Sequence, residues 1–107
     1  MNPATLHHRI SEHVDVLKSM ANHKRLGILC AIYAGEKTVS EIHEMISDKV
    51  EISQSSLSQH LGRMREEGIV RARREARNIF YSLNGDTVKR IISCLHDMCE
   101  DVTKKGE

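Results

Sequence analysis

Tryptophan is absent, and Tyr33, Phe80 and Tyr81 are the only aromatics among 107 residues. The core must therefore be filled by Leu, Ile, Val and Met, and a chain of this size buries only about two-thirds of its unfolded surface. Association with a second copy is the natural way to bury more. Proline occurs once, at Pro3, and no repeat, low-complexity tract or linker divides the sequence, which reads as one domain over residues 1–107. No apolar run approaches the ~18 residues of a membrane helix. His7, His8, Arg9, Glu12, Asp15, Lys18, Lys24 and Arg25 interrupt the first thirty positions, leaving no apolar signal region. Three cysteines, an odd number without CxxC spacing, make no secreted disulfide framework. These absences predict a cytoplasmic protein, with no membrane contact and with thiols that start reduced. The sequence also lacks a Ser-His-Asp set, a glycine-rich phosphate loop, HExxH and clustered carboxylates, so neither an enzyme nor a bound cofactor is expected.

Global charge is uninformative, because 16 basic residues face 15 acidic ones. The local balance differs: six arginines and three glutamates fall between Arg63 and Arg77, whereas residues 84–107 hold four basic and five acidic side chains. Positive charge is concentrated in the middle of the chain.

Periodicity and capping signals give the order helix, helix, helix, helix, hairpin, helix. Asn2-Pro3 is an N-cap with proline at the first helical position, followed by Leu6, Ile10, Val14, Leu17 and Ala21 at helical spacing. Asn22 caps HKRLGILCAIYA, ended by Gly35 and apolar on most sides, hence the central helix. Thr38 with Glu41 is a capping box opening a short helix through Ile46. Ser53 caps a fourth helix that Gly68 terminates. Ile69 to Leu83 changes character, alternating as two short strands joined around Glu75-Ala76. The last helix begins near Asn84 or Asp86, carries Val88, Ile91, Ile92, Leu95, Cys99 and Val102 on one stripe, and is expected to fray from Thr103.

The segment SQSSLSQHLGRMREEGIV carries the functional signal. At about 100° per residue, Leu57, Leu61 and Met64 face inward, and Ser55, Ser58, Gln59, Gly62 and Arg63 face out. Glutamine pairs bidentately with adenine and arginine with guanine, while serine reaches phosphate or base. Gln54, Ser55, Ser56, Ser58, Gln59, His60 and Arg63 are thus the candidate readers of a major groove. His60 points partly toward the core. Arg73, Arg74, Arg77 and Asn78 at the hairpin tip are candidate contacts to phosphate or a narrow minor groove. A solvated polar face and a charged hairpin tip are the bland alternatives. The serine-rich helix, the arginines and the hairpin occur together in the order that a winged helix requires, which favours double-stranded DNA as partner. An adaptor whose basic face meets an acidic protein is the competing reading from another class.

These residues, with LKSMANHKRLGILC (Leu17 to Cys30) before them and RREARNIFYSL (Arg73 to Leu83) after them, resemble the ArsR/SmtB winged-helix repressors over about residues 17–96. The resemblance implies a mainly α, winged helix-turn-helix fold (α-α-α-α-β-β-α). It also implies a homodimer joined through the first and last helices, a near-palindromic operator, and release when an inducer is sensed. Metal-sensing members carry a cysteine pair in the third helix, which here reads TVSEIHEMI without one. Others open the last helix with Asp-x-His, whereas Asp86 is followed by Thr87 and Val88. His96 and Cys99 form at most half a site; seven histidines keep a metal-responsive repressor as the alternative. The resemblance is closest to the thiol- and persulfide-sensing branch, which implies Cys30 as the helix-two thiol. Glu100 occupies that branch's usual helix-five cysteine position and Cys99 the residue before it. Cys94 and Cys99 lie ~7.5 Å apart along the helix and ~140° around it, beyond mutual disulfide reach. The pairs considered are Cys30 with Cys99 and, second, Cys30 with Cys94. Reactive sulfur or an oxidant is then the inducer. Inert, space-filling cysteines are the competing view, and a helix carboxyl end disfavours a reactive Cys99.

Overall fold

In a computed structural model, side-chain caps set the starts of the first four helices. The structure describes the backbone of residues 2–106 and the side chains of residues 2–97. Asn2 Oδ1 accepts from the Thr5 amide at 2.9 Å and opens α1, Pro3–Met20, with proline in the first turn. Asn22 Oδ1 accepts from the Lys24 and Arg25 amides at 2.9 and 3.2 Å and opens α2, His23–Tyr33. Ala34 serves as the α2 cap, one position earlier than the sequence pattern suggests. The reciprocal Thr38–Glu41 box is complete at 3.2 and 2.9 Å and opens α3, Val39–Ile46. Ser53 Oγ accepts from the Ser56 amide at 3.1 Å and opens α4, Gln54–Glu66.

The carboxyl end of α4 closes as a Schellman turn. The Gly68 amide donates to the Arg65 carbonyl at 3.1 Å and the Ile69 amide to the Met64 carbonyl at 2.9 Å. Gly68 sits at φ +78°, where a Cβ is strained, so glycine is the residue that lets the chain turn from α4 into the hairpin. Strands β1, Val70–Glu75, and β2, Asn78–Leu83, pair antiparallel from Val70↔Leu83 to Glu75↔Asn78. The turn is therefore Ala76-Arg77, one residue later than Glu75-Ala76, because Glu75 still pairs with Asn78; Ala76 takes φ +55°. Helix α5 runs Asp86–Gly106. Its helical backbone continues through the charged tail rather than fraying from Thr103, and no helix-breaking residue precedes Gly106.

α2 is central, with Ile28, Leu29, Ala31 and Ile32 buried. Around it pack Ile42 and Ile46 of α3, Leu57, Leu61 and Met64 of α4, Val70 and Leu83 of the hairpin, and Val88 and Ile92 of α5. Full burial of such side chains is worth ~1.5–3 kcal/mol each. A backbone bridge between Lys37 and Tyr81 (3.0 and 2.8 Å) fastens the base of the hairpin to the segment between α2 and α3. The architecture is a winged helix-turn-helix, α-α-α-α-β-β-α. α1 is the exception to the packing: Leu6, Ile10, Val14 and Leu17 are 40–51% exposed.

Candidate nucleic-acid interface and sensing cysteines

α4 is held rigidly from beneath. Leu57, Leu61 and Met64 are each 0% exposed, and the His43 ring Nε2 lies 2.9 Å from the Ile52 carbonyl, fixing the turn between α3 and α4. With that stripe pinned, helical geometry presents Gln54, Ser55, Ser58, Gln59, Gly62 and Arg63 to solvent. Ser56 is half-buried; its backbone amide serves the Ser53 cap. A Cβ at Gly62 would meet nothing within 4 Å, so the outer face is open at its centre. The face combines amide, hydroxyl and guanidinium groups, the chemistry that reads base edges.

His60 is half-buried on the flank of α4, and its Nδ1 is buried without a hydrogen-bond partner. Burial, then the nearby charges of Arg25, Lys24 and Arg63, lower its pKa below the ordinary 6.5. The fold thus favours neutral His60, and as pH falls the unfolded chain takes up this proton first. The contribution is fully present above pH 6.5 and is lost as pH falls from there toward the lowered folded value. In thermal melts between pH 7.5 and 5.5, His60→Gln should show a smaller acid-side decrease in Tm than the native chain. An equal or larger decrease would contradict the assignment.

The hairpin tip divides its arginines. Arg74, Arg77 and Asn78 are exposed, and no hydrogen bond or ion pair within the described chain engages their side chains. Arg73 is committed to its own protein. Its guanidinium makes a two-pronged contact with Glu36 (Nε–Oε2 3.1 Å, Nη2–Oε1 2.6 Å), reaches Glu75 at 2.8 Å, and lies 4.9 Å from the centre of the Phe80 ring. The hydrogen bond from Arg73 also holds the Glu36 carboxyl below its usual range. Arg73 therefore ties the wing to the segment before α3, where the sequence suggested a DNA contact. A residue 37 positions away carries no periodic signal, so Glu36 was not legible as its partner. Arg71 is likewise occupied, donating to Asn84 Oδ1 at 3.1 Å, while Asn84 Nδ2 donates to the Gly68 carbonyl at 2.9 Å. This sets where β1 leaves α4.

Cys30 and Cys94 border different hollows. Cys30 is half-buried on α2 and borders a hollow of 270 Å³ lined mainly by Gly27, Ala31, Met45, Ile46 and Val50, with Lys49 and His96 at its polar side. Cys94 is exposed and borders a different, wider hollow with Tyr33, Lys89, Arg90, Ser93 and Asp97. Between the two, the Tyr33 hydroxyl donates to Ser93 Oγ at 3.0 Å, and its ring packs on the His96 ring at 5.1 Å between centres. The structure thus does not bring Cys30 and Cys94 to one cavity. Cys99 falls among the α5 positions whose side chains lie outside the described residues. Among the described residues, no three His, Cys, Asp or Glu side chains are grouped closely enough to hold a metal ion, and no helix is long and apolar enough to cross a membrane.

The sequence profile of the family described as bacterial regulatory protein, arsR family, matches residues 22–72, from the α2 cap into β1. The transcriptional activator HlyU of Vibrio cholerae is 42% identical over 90% of this chain and 85% of that protein. The biofilm growth-associated repressor of Agrobacterium fabrum is 42% identical over 82% of this chain and 72% of that protein. Among solved structures, the transcriptional regulator HlyU from Vibrio vulnificus has a TM-score of 0.80 and 38% identity, covering 92% of this chain and 98% of that one. The transcriptional repressor BigR from Xylella fastidiosa has a TM-score of 0.79 and 32% identity, covering 94% and 96% respectively.

Proposed function

The chain belongs to the arsR family of bacterial regulatory proteins, and on that premise we propose that it is a homodimeric transcriptional repressor whose operator DNA is released when reactive sulfur or an oxidant modifies Cys30. The observation that carries the DNA-binding part is the two-sided character of α4. Its inner stripe is wholly buried, and its outer face offers Ser55, Ser58, Gln59 and Arg63 with an open backbone at Gly62. Arg74, Arg77 and Asn78 of the wing would contact phosphate beside it. Relatives carry both activator and repressor names; DNA occupancy is the common act, and the site's position relative to a promoter sets the sign. Such a protein works where the DNA is, in the cytoplasm.

The sensing part rests on Cys30. A half-buried thiol at a mostly apolar hollow between α2, the end of α3 and α5 is placed to alter helix packing when it changes. With a low-molecular-weight persulfide, the Cys30 thiolate attacks the terminal sulfur. The new bond makes a Cys30 persulfide, and the donor leaves as its thiolate. Attack by a second thiolate, from Cys99 or Cys94, on the inner Cys30 sulfur closes a disulfide and expels hydrosulfide. A persulfide that adds further sulfur gives a longer bridge. Because Cys30 and Cys94 border separate hollows, Cys99 is the favoured partner. Either bridge would change the packing of α5 on α2 and so the spacing of two α4 helices in a dimer.

The test is to titrate reduced protein onto the DNA upstream of its own gene, then repeat after treatment with a persulfide donor. Tight, salt-sensitive binding lost on treatment and regained with reductant supports the reading. Cys30→Ala should bind DNA as tightly as the native chain, within about twofold, and stay bound after treatment. Release of the alanine variant would sink the thiol mechanism and move attention to metals, tested as stoichiometric metal uptake by thiol-blocked protein. Absence of any sequence preference would favour the adaptor reading.

A further inference from the structure

α1 meets the rest of its own chain through its last turn, where Val16 is half-buried and Ser19 and Met20 are buried. A single guanidinium nitrogen of Arg25, Nη1, converges on that turn. It donates to the Ser19 carbonyl at 3.2 Å, to Ser19 Oγ at 3.0 Å, and to both carboxylate oxygens of Glu67 at 3.3 Å. Ser19 Oγ in turn donates to Glu67 Oε2. Glu67 is the C-cap of α4, immediately before the Gly68 turn. The Arg25 side chain is only 14% exposed and Ser19 7%, while the Glu67 side chain is 40% exposed. Two turns upstream on the same face of α4, half-buried His60 feels the charges of Arg25 and Lys24 as well as that of Arg63. The carboxyl end of α4 is therefore tied to the junction of α1 and α2 by a charged contact that is buried on the Arg25 and Ser19 side and open to solvent at Glu67.

We propose that Arg25, Ser19 and Glu67 are positioning residues for operator binding: they form a joint that fixes the angle between the recognition helix α4 and the dimerisation helix α1. The inference rests on α4 being the DNA-reading helix and on α1 forming part of the proposed dimer seam. In a dimer, two α4 helices must present themselves about one DNA turn, ~34 Å, apart, and a small rotation about this joint displaces both. The effect is specific to base reading, because phosphate attraction survives modest misplacement.

Glu67 makes the test sharp, since two causes predict opposite signs. As a mere surface charge, Glu67 repels DNA, and Glu67→Gln would tighten every complex. As part of the joint, the same substitution weakens operator binding. The dimer is measured by fluorescence anisotropy on a duplex from its own upstream DNA and on an unrelated duplex, at one salt concentration. Glu67→Gln and Arg25→Met should each lose roughly tenfold on the operator, which equals about 1.4 kcal/mol, and change by less than about twofold on unrelated DNA. The double variant should be no weaker than about threefold below either single, because both remove one interaction. Sedimentation and melting curves identify a variant that fails to fold. In that event Ser19→Ala, which leaves the Arg25–Glu67 pair, should lose several-fold on the operator alone. Unchanged or tighter operator binding by Glu67→Gln, or fully additive losses, would overturn the joint. A native chain with no sequence preference would instead overturn the reading of α4, and the joint with it.

Discussion

Replacing Gln59 and Arg63 together by alanine is expected to abolish the preference for operator over unrelated DNA while leaving a folded dimer. Both side chains lie on the open face of α4 and neither supports the core, so stability should change by no more than ~0.5 kcal/mol, as for ordinary surface substitutions. Each bidentate base contact is worth ~1–3 kcal/mol of discrimination. A dimer loses each contact twice, four in all, or ~4–12 kcal/mol. That matches or exceeds the ~4–10 kcal/mol by which specific binding usually exceeds non-specific binding. The two titration curves, on operator and on unrelated duplex, should therefore nearly coincide. Retention of more than about a tenth of the native preference would mean that other residues read the sequence, with Ser55 and Ser58 the next to examine.

The contrast between α4 and the wing explains how far the sequence could be read. Caps are local: Asn2, Asn22, Thr38 with Glu41, and Ser53 each bond to an amide two or three residues away. Their spacing alone therefore located four helix starts. The outer face of α4 was legible for a similar reason, because the buried stripe Leu57, Leu61 and Met64 fixes by rotation what must face away. The joint and the wing clamp were not legible. Arg25 reaches Glu67 across 42 positions and Arg73 reaches Glu36 across 37, and an arginine on an exposed strand looks the same whether its partner is phosphate or a distant carboxylate. That Cys30 and Cys94 border different hollows depends on how α5 packs on α2, where the Tyr33 contacts to Ser93 and His96 join the two elements. The turn at Ala76-Arg77 carries no sequence signal, because Ala76 adopts φ +55°, a conformation that sequence preference assigns to glycine or asparagine.

The exposed stripe of α1 leads to the second large effect. Leu6, Ile10, Val14 and Leu17 lie on one side of a helix anchored only by its last turn, and each shows 40–51% of its surface to solvent. The radius of gyration, 15.1 Å, exceeds the ~13 Å of a globular domain of about this length, as projecting helices require. In the proposed dimer, two-fold pairing of two copies would cover this apolar stripe on both chains at once. Ile10→Asp would place a charge at its middle, twice per interface, and uncompensated burial of that charge costs several kcal/mol. The variant should sediment as a monomer at micromolar concentration, with helical content and melting behaviour of the winged core retained, because Ile10 touches none of that core. Operator affinity should then fall by about 10²- to 10⁴-fold, since the second half-site contact is no longer intramolecular. Ile10→Met, which keeps the apolar surface, should remain dimeric and bind as the native chain does. If the aspartate variant stays dimeric, α1 is not the seam, and α5 would have to carry the interface alone. If it is monomeric yet binds the operator undiminished, one recognition helix suffices, and neither the two-fold operator nor the joint that sets the angle between α1 and α4 has a role in recognition.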